Sequence, residues 1–154
     1  MEGPYGAFTA SARQPGRPVA LIAAGVGITP IRALLDDLPP DATPAVLYRA
    51  HDHDDLIFQD ELGPAVSGRG GTVQCLVGDR DQQPITASRL ASLVPDIAGR
   101  TVYVCGPPGF AAVVLGAAKD LGIPRHRIHV EAFRLHPADA SPVRREEAPA
   151  CDAR

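Results

Sequence analysis

Apolar residues along the chain fall into short unbroken runs, set between stretches with helical spacing. The clearest run is Val19–Ala24, VALIAA, which stops at Gly25-Val26-Gly27. A run without polar alternation is expected of a strand covered on both faces, as in a parallel sheet. Beyond it, Thr29 suits an N-cap and Pro30 the first helical position, where a missing N–H costs nothing. A helix is therefore predicted through 31–35, ending before Pro39-Pro40.

The same reading continues down the chain. Residues 45–48 predict a second strand, and 54–62 a helix that offers Leu56, Phe58 and Leu62 to a core. Thr72–Val77 predicts a third strand and 88–93 a short helix. A fourth strand at 101–105 closes on Gly106-Pro107-Pro108-Gly109; a helix at 110–121 follows, stopped by Gly122-Ile123-Pro124, and 128–131 supplies a fifth strand. Alternation of this kind predicts a doubly wound, Rossmann-like α/β domain over 18–135, with a five-stranded parallel sheet in the order 3-2-1-4-5. Two ends fall outside it. Residues 1–10 read as the last strand of another unit, joined by a polar linker at 11–17, and the Ala-, Pro- and charge-rich stretch 136–154 reads as a disordered tail.

Composition narrows the function. The 154 residues are 45% hydrophobic and 21% charged, ordinary for a globular domain, and one domain of that length can bury its own core. A net charge of -3 gives no general attraction for nucleic acid or an acidic membrane surface. The cysteines Cys75, Cys105 and Cys151 show no C-x-x-C spacing, so neither a disulfide framework, a zinc site nor an iron-sulfur cluster is expected. With no apolar stretch of about 18 residues and no signal-like start, direct insertion into a membrane is not expected. The expected location is the cytoplasm, or the cytoplasmic face of a membrane reached through a parent protein or a partner.

In a doubly wound sheet a ligand sits beyond the carboxyl ends of the strands, where the strand order reverses. Here strands 1 and 4 flank that point, so Gly25-Val26-Gly27-Ile28-Thr29-Pro30 and Cys105-Gly106-Pro107-Pro108 face one crevice. Glycines at 25 and 27 allow a tight turn, and free N–H groups at the next helix start suit a diphosphate. The sixth position of the G-x-G-x-x-G fingerprint is Pro30, however, and a ligand-free glycine turn is the plain alternative. Cys105, ending a strand, reads on its own as a small core residue, but its place beside the Gly-Pro-Pro-Gly turn and opposite the first glycine loop favours a contact with ligand.

Taken with Glu131-Ala132-Phe133 and Gly3-Pro4-Tyr5-Gly6, these motifs resemble the ferredoxin-NADP reductase superfamily. Their wording is similar to the reductase modules of ferric-reductase-like and NADPH-oxidase-like proteins. The resemblance implies that residues 25–30 hold the pyrophosphate of NAD(P)H and that Cys105, in the Cys-Gly-Pro turn, lies by the nicotinamide carbon that gives up hydride. It further implies that Glu131 and Phe133 approach the nicotinamide pocket and a flavin ring. Gly3-Pro4-Tyr5-Gly6 resembles the tail of the flavin domain. The family's Arg-x-Tyr-Ser/Thr flavin signature does not occur in the sequence. FAD or FMN would thus be held by a separate domain or subunit, and the chain would be inactive without it. Electrons would pass onward to a haem domain, an iron-sulfur protein or a ferric substrate.

Other candidates bear on details. Arg49 and Arg80, after strands 2 and 3, stand where an adenosine ribose would lie and could clamp a 2′-phosphate, whereas Asp79 would favour the unphosphorylated ribose. On balance they favour NADPH. His51-Asp52-His53-Asp54-Asp55 is the most metal-like string, but capping of the next helix, with Asp54 as cap, is the expected role. A short-chain dehydrogenase would need Tyr-x-x-x-Lys, and Lys119, the only lysine, follows no tyrosine at that spacing. A non-catalytic nucleotide-binding or protein-interaction module is the remaining alternative.

Overall fold

The computed structural model describes residues 17–79 and 81–132. Gly3-Pro4-Tyr5-Gly6, Arg80, Phe133 and the stretch 136–154 lie outside them. Five strands, β1 (Val19–Ala24), β2 (Ala45–Ala50), β3 (Thr72–Val77), β4 (Thr101–Gly106) and β5 (Ile128–Ala132), form one sheet in the order β3-β2-β1-β4-β5. Every pairing is parallel, as the sequence predicts. All residues of β1 and β4 are buried, which is why those runs carry no polar alternation.

Among the described residues four α-helices cover the sheet: α1 (Ile28–Asp37), α2 (Gln59–Ser67), α3 (Ala87–Leu93) and α4 (Pro108–Asp120). Successive strand residues point to opposite faces and feed two cores. Val19, Leu21 and Ala23 meet Ile28, Ile31 and Leu35 of α1 and Leu62 and Val66 of α2. Ala20, Ile22 and Ala24 meet Leu90 of α3 and Phe110, Ala111 and Val114 of α4. The helices after β1 and β4 therefore leave to opposite faces, and a crevice opens between those two strands.

Two local expectations are corrected. First, α1 begins at Ile28 with Gly27 as its N-cap and no side-chain cap; Thr29 and Pro30 lie inside the first turn. A 3-10 turn at Gly25–Gly27 already directs the chain into the helix, so a capping hydroxyl is not needed. Second, 54–62 is not one helix. A 3-10 turn at His53–Asp55 is capped by Asp52, not Asp54, in a reciprocal box with Asp55. The chain then runs extended before α2 starts at Gln59, with Phe58 left-handed at φ 60°. Buried Tyr48 explains the break: its hydroxyl accepts from Ile57 N–H at 2.9 Å and donates to the Asp55 carbonyl at 3.3 Å.

Candidate functional site

At the carboxyl end of β1 the chain turns through Gly25, whose φ of 58° favours glycine although open space surrounds it. Gly25 and Thr29 are exposed while Gly27 and Ile28 are buried, so the loop shows its outer main chain to the crevice. No acidic residue stands in the first turn of α1. Its partial positive charge and free N–H groups are therefore not neutralised by the helix itself, and they suit a diphosphate.

Gly27 has a second reason to be glycine. A methyl group there would overlap the carbonyl oxygen of Cys105, and the Cα of Gly106 would be only 3.0 Å away. A methyl group at Gly106 would meet Phe110 Cδ2 at 2.9 Å and Ala24 Cβ at 3.3 Å. The two loops are therefore pressed together, main chain on main chain. Pro107 and Pro108, which open α4, are exposed beside them, with Pro107 as N-cap and Pro108 in the first turn.

Cys105 is wholly buried, and burial, with a smaller push from the Glu131 carboxylate, raises its thiol to about 12. At neutral pH it is an uncharged thiol, unable to act as a nucleophile or a base. Glu131 is its register partner on β5, so the two side chains share one face. Half-buried, Glu131 is itself raised by burial. One step down that face, Tyr103 and His129 pair with ring centroids 5.1 Å apart. The His129 Nε2 is buried without a hydrogen-bond partner, and burial followed by nearby Arg125 holds its pKa below the ordinary value.

On the other side of the crevice, Arg49 lies within β2 and is the register partner of Ala24. Its guanidinium carbon lies 5.9 Å from the ring centroid of Phe110, in the first turn of α4. Sequence reading missed Phe110 and His129. Phe110 was legible only as a helix residue, and His129 only as a strand residue two places before Glu131.

Residues 21–115 match the oxidoreductase NAD-binding domain family. The chain belongs to that family. It is 33% identical over 124 residues to the flavohemoprotein of Vibrio cholerae, covering 78% of this chain and 32% of the relative. Ferredoxin–NADP reductase B of Sorangium cellulosum is 32% identical over 156 residues, covering 85% of this chain and 60% of the relative. Among solved structures, the flavohem-like FAD/NAD binding domain of the nitric oxide dioxygenase from Vibrio cholerae superposes with a TM-score of 0.67 at 30% identity. That match covers 78% of this chain and 52% of the other. The chain thus spans roughly one to two thirds of the length of these relatives.

In this NAD-binding domain the remaining candidates take modest places. Asp79 Oδ1 accepts from the N–H groups of Asp81 at 3.0 Å and Gln82 at 2.9 Å, so the carboxylate is engaged by its own turn. Residues 51–55 are exposed, and among the described residues no group of three or more His, Cys, Asp or Glu side chains could hold a metal ion. No helix among the described residues is long and apolar enough to cross a membrane.

Proposed function

We propose that this NAD-binding domain holds NAD(P)H across the carboxyl ends of β1 and β4 and presents its hydride to a flavin, FAD or FMN, carried by another domain or subunit. The main chain of residues 25–30 takes the diphosphate, and Cys105-Gly106-Pro107-Pro108 forms the floor under the nicotinamide. Glu131, with Phe133 after it, lines the nicotinamide end. The observation that carries this reading is the contact of Gly27 with the Cys105 carbonyl, which joins the two loops at the reversal of strand order, beside a helix N-terminus that lacks an acid of its own.

Charge supports one orientation. Arg49 stands on the β2 side and Glu131 on the β5 side of the crevice. The anionic half of the dinucleotide is directed to the former, and the oxidised nicotinamide, which carries a positive charge, to the latter. The thiol of Cys105, neutral and buried beneath this floor, does not compete for the hydride. When bound, the flavin accepts that hydride and releases electrons singly to a haem, iron-sulfur or ferric acceptor. The acceptor is chosen outside this domain, since relatives as different as a flavohemoprotein and a ferredoxin–NADP reductase share the segment. With the Asp79 carboxylate engaged by its own turn, Arg80 is the residue we assign to a 2′-phosphate, and NADPH is the preferred donor.

Titration calorimetry tests the site. Gly25 is best replaced by Asp, with Asn as the neutral control, because both tolerate a left-handed backbone and open space surrounds the position. Gly25→Asp should weaken NAD(P)H binding well beyond Gly25→Asn; equal affinities would remove the diphosphate from this loop. A folded chain that binds no dinucleotide would favour a non-catalytic interaction module instead.

A further inference from the structure

We propose that Arg49 clamps the diphosphate, not the ribose phosphate, and that Phe110 is the positioning residue that aims it. The inference rests on the binding mode proposed above and adds a side-chain charge to a site otherwise built from main chain. Three observations place Arg49. It stands inside β2 rather than beyond its end, in register with Ala24, the residue that immediately precedes Gly25. Its guanidinium lies over the ring of Phe110, on the helix that follows β4, the strand on the far side of β1 from β2. Phe110 is in turn fixed against Gly106, where a methyl group would come within 2.9 Å of its ring.

The side chain therefore leans toward the helix after β4 and the strand reversal, instead of outward over β3. An aromatic face attracts a guanidinium and leaves its N–H edge directed at other partners. The α1 N-terminus leaves the sheet on one face, while Phe110 and α4 pack on the other. A diphosphate between them would meet main-chain donors on one side and the Arg49 fork on the other, a pairing suited to bidentate recognition.

This position predicts indifference to the 2′-phosphate. Affinities of the 154-residue chain for ADP, NAD⁺ and NADP⁺ are measured by calorimetry in the unaltered protein, Arg49→Gln, Phe110→Leu and the double variant, with folding checked by circular dichroism. Arg49→Gln should weaken all three ligands by one common factor, on the order of tenfold for a lost charge-assisted contact, and leave the NADP⁺ to NAD⁺ ratio unchanged. Phe110→Leu should weaken them by a smaller factor, and should have no effect in the Arg49→Gln background, which a general packing defect would not reproduce. A loss confined to NADP⁺ would make Arg49 a ribose-phosphate reader and overturn the proposal. No loss would also overturn it. If the unaltered folded chain binds none of the three ligands, the proposed function itself fails, and this inference with it.

Discussion

Gly27 lacks a side chain because the carbonyl of Cys105 stands where one would be. Its replacement therefore tests packing before it tests binding: Gly27→Ala should cost about 1–3 kcal/mol of stability through overpacking, measured by urea unfolding without ligand. Gly25 makes the contrast, because its surroundings are open and only its φ of 58° resists a side chain. Cys105 should resist alkylation in the native protein at pH 8, where its thiol, raised to about 12, stays protonated and buried. Exposed Cys75 should be modified before it, and peptide mass mapping reads the order. Early labelling of Cys105 would show that the crevice floor is open. Glu131 gives a pH signature. For a carboxyl raised by burial, the stabilising contribution is fully present below the ordinary 4.5 and lost as pH rises through the raised value. Glu131→Gln should therefore be more stable than the unaltered protein at pH 7, with the difference closing below pH 4.5 in paired melting curves.

At the scale of elements, His129 on β5 behaves in the opposite sense. Its pKa is lowered by burial and by Arg125, so its stabilising contribution is present above the ordinary 6.5 and lost as pH falls through the lowered value. His129→Phe, which keeps a ring against Tyr103 and removes the unpartnered Nε2, should lose less stability than the unaltered protein on acidification from pH 7 to pH 5. Identical acid profiles would place the sensitivity elsewhere. Strands were the legible elements, because continuous burial leaves runs such as VALIAA and TVYVCG with no alternation of apolar and polar positions to blur them. The segment 54–62 was not legible. Leu56, Phe58 and Leu62 mimic helical spacing, whereas the break between Asp55 and Gln59 depends on the hydroxyl of Tyr48, a residue on another element. The site divided the same way. Its loops are written in glycine and proline, but the direction of Arg49 depends on an aromatic ring some sixty residues away, which no local pattern announces.

For the whole molecule, the proposed function makes catalysis a property of an assembly. Hydride transfer needs donor and acceptor about 3–3.5 Å apart in fixed orientation, an arrangement worth up to roughly 7–11 kcal/mol of barrier. Steady-state oxidation of NADPH by the 154-residue chain with free FAD or FMN and a ferric acceptor should therefore fall well below about 1 s⁻¹, the low end of the usual enzyme range. Adding a flavin-binding domain, fused upstream or as a separate partner, should restore turnover. Multiple turnovers by the chain alone at or above that rate would show that it is complete as it stands.

The press of Gly27 against the β4 main chain also bears on how the site comes into being. A pocket lined by independent loops can open while the rest of a protein stays folded, but here the loop after β1 and the end of β4 are seated on each other within the central pair of the sheet. The crevice floor should thus belong to the last cooperative unit to unfold. Backbone amides of Ala23 and Cys105, paired within the β1–β4 ladder, should exchange with deuterium at the rate of global unfolding and respond to mild denaturant with the full unfolding slope. A shallow response at those amides would reveal a local opening that the packing described here does not provide.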